Sequence, residues 1–113
     1  MNGPYQLSRK LVLEALERQP DNAGGFVEYW RAQGTVWADM RAGSGRARSG
    51  ATSALASVPY RIVVRAAPVG APSRPRAGQR FRAGARLFVI QAVADSDGEG
   101  RYLHCFTHEE VLP

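Results

Sequence analysis

Short strand-like runs separated by turn-forming residues divide this chain along its length, and this pattern restricts the fold more than any other feature of the sequence. The clearest runs, in one-letter code, are TVWADMR, VPYRIVVRA, RLFVIQAVA and RYLHCFT. Each is rich in β-branched or aromatic residues, and glycine, proline, aspartate or serine lies between one run and the next. We therefore predict a mainly β fold, a small antiparallel β-barrel or sandwich of about six to seven short strands.

The first run, RKLVLEAL at residues 9–16, is compatible with both a strand and a helix. Its leucines alternate with other residues, as in a strand, but Leu, Glu, Ala and Arg also favour helices. The turn signal QPDNAGG at residues 19–25 is followed by the strand-like run FVEYWR, which favours a strand before the turn as well. Gln33 and Gly34 then predict a break before TVWADMR.

Two segments are predicted to be loops within a single domain that covers residues 1–113. Residues 42–57 (AGSGRARSGATSALAS) have no periodicity and contain one large apolar residue, Leu55. A connection of this length is long for so small a domain, and such loops are usually functional or disordered. Residues 68–78 (PVGAPSRPRAG) contain three prolines and form the second, shorter loop.

Basic residues outnumber acidic ones, giving a formal net charge of +5, and nearly all of them are arginines. Of the 15 Lys and Arg residues, only Lys10 is a lysine. Arginine makes bidentate contacts with carboxylates and phosphates, so the excess suits nucleic acid or acidic protein partners. Cys105 is the one cysteine, which excludes an intrachain disulfide and fits a reducing compartment. We expect neither a signal peptide nor a membrane-spanning run.

Residue sets typical of catalysis or metal binding are not evident. The two histidines, His104 and His108, lie close together near the C-terminus, without a Ser/His/Asp or Cys/His set, so we expect no catalytic residues and no enzymatic activity. His104 and Cys105 would face opposite sides of a strand, which argues against a metal site. The acidic residues of DSDGEG at 95–100 are typical of a solvated hairpin turn, because the glutamate that a calcium loop requires is absent. No cofactor is expected.

The order and spacing of several motifs resemble those of the phage head–tail joining proteins, a family that includes head-closure (stopper) and adaptor proteins. Gly24 and Gly25 precede FVEYW, and TVWADMR is similar to a strand of that family that contains a Trp-Ala pair. A long Gly/Ser loop then leads to YRIVVR, and the stretch from FRAG to IQAV resembles the family's hairpin. The resemblance extends over most of the chain, residues 9–106.

This resemblance implies a structural β-barrel subunit of a bacteriophage or of a gene transfer agent, which is a phage-like particle made by bacteria. Such subunits, made in the bacterial cytoplasm, form a homo-oligomeric ring in the neck of the particle. The implied neighbours are a portal or adaptor protein on the head side and a tail terminator or other tail protein on the tail side, with no membrane involved. The lumen conducts packaged double-stranded DNA, which the loop of a stopper helps to retain. Because adaptors are commonly helix-rich, the β-rich pattern favours the stopper.

The long loop is the segment to which the resemblance assigns the channel. Its candidate channel- or DNA-facing residues are Arg41, Gly43, Gly45, Arg46, Arg48 and Gly50. The arginines would contact phosphate, and the glycines would supply conformational freedom. Packing between subunits is the alternative role for this loop, and the absence of any role is a third possibility.

Trp30 and Trp37 lie on successive strand-like runs and are candidate interface aromatics. Core or cross-strand packing is the simpler expectation for them, because tryptophan buries a large area. An exposed face that docks a neighbouring ring is the alternative.

A function of a different class also fits the composition. A small basic barrel would bind RNA or DNA directly if its aromatics lay on a basic face. The residues that would do so are Tyr60, Phe81 and Phe88 as stacking aromatics and Arg80, Arg82 and Arg86 as phosphate contacts.

Overall fold

The computed structural model describes residues 4–43, 57–95, 98 and 100–110. In these ranges the chain forms six antiparallel strands. They are β1 (Arg9–Pro20), β2 (Phe26–Ala42), β3 (Ser57–Arg65), β4 (Arg80–Ala83), β5 (Arg86–Asp95) and β6 (Tyr102–Glu110). The predicted mainly β fold is confirmed, and the ambiguous run at residues 9–16 is a strand. Within the same ranges no helix is long and apolar enough to cross a membrane.

The six strands form one closed sheet, because β4 pairs with β1 as well as with β5. The strand order is β1-β2-β3-β6-β5-β4. Successive side chains of a strand point to opposite faces, so one face of each strand fills the interior. The buried core consists of Leu11, Leu13, Ala38, Ile62, Val64, Phe81, Phe88, Ile90, Leu103 and Cys105. Phe81 and Phe88 lie opposite each other in β4 and β5, and removing each ring from water stabilises the fold by roughly 2–3 kcal/mol.

β2 is one strand of 17 residues and not the two strands that the sequence predicted. Leu13 lies opposite Gly34 and Glu14 lies opposite Ala32, which leaves Gln33 as an extra residue in β2. Gln33 and Gly34 therefore encode a β-bulge, with Gly34 at a φ of +151°, in place of a strand end. A strand of this length spans about 55 Å when fully extended, and the longest dimension of the molecule is 54 Å.

The hairpin of β1 and β2 extends beyond the closed sheet. β4 pairs with β1 as far as Glu14, and β3 pairs with β2 from Ala38 onward. Residues 15–31 are the hairpin arm: among the described pairings, its two strands are bonded only to each other. The turn at its end is closed by Asp21, whose Oδ1 accepts hydrogen bonds from two backbone amides of the turn at 2.8 and 2.9 Å. A polar turn with one asparagine and two glycines thus connects two unusually long strands.

The connection from β3 to β4 folds over the end of the sheet from which the arm projects. Arg74 Nη1 donates to the carbonyl of Ala67 at 2.7 Å, and Pro75 is fully buried. Gln33 of the bulge lines a surface depression together with residues of this connection. The bulge therefore lies beside this connection.

Candidate assembly interface

The channel segment inferred from the sequence begins where β2 ends. The backbone amide of Gly43 donates to the carbonyl of Pro59 at 2.7 Å. A Cβ atom on Gly43 would lie 3.0 Å from the Cβ of Pro59, so any other residue at this position requires Pro59 to shift. Of the other candidate channel residues, Arg41 is described and exposed. Those that lie outside the described residues are Gly45, Arg46, Arg48 and Gly50.

Arg41 is paired with a carboxylate of its own strand. Its guanidinium nitrogens lie 3.2 and 3.3 Å from the two oxygens of Asp39. Burial acts to raise the pKa of Asp39, but the hydrogen bonds from Arg41 and from the backbone amide of Gln6 outweigh it, so this pKa lies below its ordinary value. Asp39 is therefore ionised at neutral pH and offsets part of the positive charge of Arg41.

A surface groove lies beside Gly43 on the outside of β3 and β6, and we call it the β3–β6 groove. It has a volume of about 440 Å³. Its lining consists of Ala42, Gly43, Pro59, Tyr60, Arg61, Gln91, Phe106, Thr107 and His108. Phe106 lies opposite Arg61 across the two strands, and 43% of its surface is exposed. The groove therefore combines an exposed aromatic ring with an exposed positive charge.

The N-terminal segment covers the neighbouring part of the outer face. The hydroxyl of Tyr5 lies 2.9 Å from Nε2 of His104, and the two rings meet edge to face. Tyr5 also contacts the ring of Tyr102 at 5.0 Å between centroids. Burial, with the positive charges of Arg61 and Arg41 adding to it, lowers the pKa of His104 below its ordinary value. His104 is therefore a neutral, packed residue at neutral pH.

Neither candidate interface tryptophan belongs to the buried core, so the expected core packing is wrong for both, whereas cross-strand packing describes Trp30, which is half-buried. Trp37 points outward from β2 opposite Lys10, and 54% of its surface is exposed. Trp30 lies in the hairpin arm opposite Leu16, with the guanidinium of Arg80 4.0 Å from the centre of its ring. Both side chains are on the outer surface, where a second protein can reach them.

The base of the hairpin arm is held by a charge cluster that sequence analysis missed. Glu14 is 6% exposed, and its two carboxylate oxygens accept hydrogen bonds from Nε of Arg80 and Nε of Arg82, each at 2.7 Å. Burial acts to raise the pKa of Glu14, but these hydrogen bonds outweigh it and the pKa lies below its ordinary value. A signal for the cluster is present in the sequence, because an acidic residue inside the apolar run LVLEAL requires a partner.

The side chains proposed for direct binding of nucleic acid are buried or already paired in this fold. Phe81 and Phe88 are fully buried, so no base can stack on them. Arg86 donates to the carboxylate of Glu109 at 2.7 and 3.0 Å and to the hydroxyl of Tyr60 at 3.2 Å. Arg80 and Arg82 are bonded to Glu14, as described above. These residues therefore hold the closed sheet together.

His104 and Cys105 point to opposite faces of β6. His104 contacts the N-terminal segment on the outside, whereas Cys105 is in the core. Burial raises the pKa of the Cys105 thiol to about 12. Among the described residues no cluster of three or more His, Cys, Asp or Glu side chains is placed to hold a metal ion.

Both the sequence and the fold of this chain are similar to those of known proteins. The model of the phage head completion protein family matches residues 3–110. A solved structure titled "Virion of native gene transfer agent (GTA) particle" contains a chain that is 58% identical, with a TM-score of 0.81, covering 96% of this chain and 98% of that chain. No curated protein matches. The resemblance inferred from the sequence motifs is thus confirmed, and the chain belongs to the phage head completion protein family.

Proposed function

We propose that this chain is a non-enzymatic structural protein of the neck of a phage or gene transfer agent particle. In this proposal its copies form a ring between the portal or adaptor protein and the tail, and the ring conducts and retains packaged DNA as a stopper. The observation that carries the proposal is the 58% identity, over 96% of the chain, to a chain of a gene transfer agent virion. Two proteins this similar over their whole length share their fold, which supports the same structural role for this chain.

The course of β2 and β3 supports the assignment of the channel to the segment that joins them. Both strands are anchored in the closed sheet up to the point where they meet the segment, with Ala42 opposite Tyr60. The amide of Gly43 continues this pairing by its bond to Pro59. An insertion between such anchors can change without disturbing the core, as is usual for functional loops. We therefore assign residues 44–56 to the channel and Arg46 and Arg48 to phosphate contacts.

The test is a particle in which residues 44–56 are replaced by a short Gly-Asn linker. We expect the variant to enter particles and to join tails, because the closed sheet is unchanged, but the particles should lose DNA. The measurement is the fraction of DNA-filled heads by electron microscopy and by nuclease protection. Filled, tailed heads at the wild-type frequency would contradict the stopper role.

A matched pair of arginine variants separates charge from chain length. Arg46→Ala with Arg48→Ala removes two positive charges from the proposed channel segment. Arg9→Ala with Arg65→Ala removes two exposed positive charges from strands of the sheet and serves as the control. We expect DNA loss in the first pair and wild-type retention in the second. Equal behaviour of the two pairs would show that these arginines do not contact the channel DNA.

A further inference from the structure

The hairpin arm carries a set of exposed apolar side chains that the closed sheet does not use. Leu16, Phe26, Val27 and Tyr29 are all exposed, and 59% of Phe26 and 52% of Val27 are open to solvent. They occupy both faces of the arm, since Phe26 and Val27 are neighbours on one strand and point to opposite sides. A two-stranded hairpin is marginally stable by itself in water, and exposed apolar strands are typical of protein contact sites.

The arm is nevertheless built as a stiff element. Its base is fixed by the Glu14 cluster, through which Arg80 also reaches the ring of Trp30. Its end is fixed by the hydrogen bonds of Asp21, and Arg18 lies over the ring of Phe26 at 4.4 Å. A rigid element loses little conformational freedom when it binds, so the arm is prepared for contact with another molecule.

We propose that the hairpin arm of one copy docks in the β3–β6 groove of a second copy of this chain. The end of the arm cannot reach the groove of its own chain, because Phe26 and Ala42 lie at opposite ends of β2, about 50 Å apart along the strand. A contact between two different surfaces of identical chains is heterologous, and repetition of such a contact closes a ring when the rotation permits. The inference therefore rests on the proposed neck ring and identifies the surfaces that build it.

The charges and the apolar surfaces of the two sites are complementary. The arm carries Glu17, Asp21 and Glu28 against Arg18 and Arg31, a net charge of −1 in a protein whose total is +5. The groove offers an exposed arginine, Arg61, beside the exposed ring of Phe106. An acidic, apolar arm thus meets a basic, apolar groove, and this match favours a second copy over an unrelated partner.

The test places the photo-crosslinking residue p-benzoylphenylalanine at position 26 in particles that contain no wild-type copy. Position 69 is the matched control, because Val69 is 87% exposed and lies on the connection from β3 to β4. We expect crosslinked oligomers of this chain from position 26, with the crosslink mapped by mass spectrometry to a peptide containing Pro59 or Phe106. Position 69 should give no such oligomers.

Three other outcomes would overturn the inference in distinguishable ways. Crosslinks between two arms would mean a symmetric contact, and crosslinks from position 26 to a different particle protein would mean another partner. In both cases the chain is still part of the particle and the proposed function stands. If particles purified from cells that make the unmodified protein do not contain this chain, the proposed function fails together with the inference.

A second measurement does not depend on the crosslinker. Phe26→Ser removes an exposed apolar ring from the arm and should leave the melting temperature of the isolated protein unchanged, because that ring contributes little to the core. We expect its incorporation into particles, in competition with the wild type, to fall by about tenfold, as the loss of one buried aromatic anchor predicts. Val69→Ser should be incorporated like the wild type. Equal incorporation of the two variants would refute the arm as a contact site.

Discussion

Replacement of Glu14 by glutamine tests whether the charge cluster at the base of the arm stabilises the fold. The carboxylate is almost fully buried and accepts hydrogen bonds from Arg80 and Arg82, both at 2.7 Å. Glutamine has nearly the same shape, but it has no charge and only one acceptor oxygen. Its amide nitrogen would face the Nε–H of one of the arginines, donor against donor. Glu14→Gln therefore removes the charge without creating a cavity.

The size of the effect follows from the exposure of the three partners. Hydrogen bonds to a charged group contribute about 1.5–3 kcal/mol each, which sets an upper limit of about 6 kcal/mol for the pair. The side chain of Arg82 is 40% exposed and regains water when its bond is lost, so its share is discounted. Arg80, which is 16% exposed, retains one hydrogen bond to the uncharged glutamine oxygen. We expect a loss of about 2–3 kcal/mol and a melting temperature lowered by roughly 10 °C.

The assay is urea unfolding of the isolated protein followed by circular dichroism, with Glu28→Gln as the control. Glu28 is an exposed carboxylate on the hairpin arm, and its replacement should change the free energy of unfolding by less than about 0.5 kcal/mol. If Glu14→Gln and Glu28→Gln have equal stability, the cluster does not stabilise the fold and the reasoning is refuted.

The pH dependence of the same variant provides an independent check. The pKa of Glu14 in the folded protein lies below its ordinary value of 4.5. Its contribution to stability is therefore complete above pH 4.5 and is lost as the pH falls through the lowered pKa. The difference in stability between wild type and Glu14→Gln should be largest at neutral pH and should shrink on acidification. A difference that stays constant down to strongly acidic pH would contradict the electrostatic origin.

Two further predictions concern titratable groups of β6. Burial raises the pKa of the Cys105 thiol from 9.0 to about 12. At pH 8 this thiol should therefore react with Ellman's reagent about a thousandfold more slowly in the native protein than after unfolding. Equal reaction rates of native and unfolded protein would show that the thiol is accessible. His104 should titrate by NMR with a pKa below 6.5, because burial and then two nearby arginines disfavour its charged form. The contribution of neutral His104 to stability is complete above pH 6.5 and is lost as the pH falls below this value. His104→Gln should therefore weaken the pH dependence of the free energy of unfolding in this range. A pKa of His104 at or above 6.5 would refute the packed, neutral state.

Local patterns in the sequence were sufficient to predict most of the strands. The run VPYRIVVRA corresponds to β3, and RLFVIQAVA corresponds to β5, because alternation and β-branched residues identify a half-buried strand irrespective of its partners. Gln33 and Gly34 were misinterpreted because a bulge and a strand end use the same residues, and only the pairing with β1 distinguishes them. Closure of the sheet could not be predicted either, since it depends on the pairing of β1 with β4, some 70 residues apart.

The same limit explains which parts of the interface were missed. The alternation of Val36, Ala38 and Met40 with Trp37 identified two faces of β2, but both carry apolar residues, so the sequence did not show that tryptophan faces solvent. The Glu14 cluster joins residues 66 and 68 positions apart and has no local signature apart from the isolated acidic residue. By contrast, the run FVEYW, which is apolar or aromatic except for Glu28, could have indicated an exposed contact surface, because it does not alternate as a half-buried strand does.

The position of the arm and the start of the channel segment are linked through a single strand. β2 contains residues of the arm, the bulge, the core residue Ala38 and, at its end, Ala42 next to Gly43. A slip of β2 by one residue would turn the inward-facing side chains of β2 to the outside, so the register of β2 cannot change without unfolding the sheet. A contact that fixes the arm on a neighbouring copy therefore also fixes the point at which the β2–β3 segment leaves the sheet. In the proposed ring, the subunit contact determines where each channel segment enters the lumen, and a change in the arm such as Phe26→Ser is expected to alter DNA retention even though Phe26 lies far from the channel.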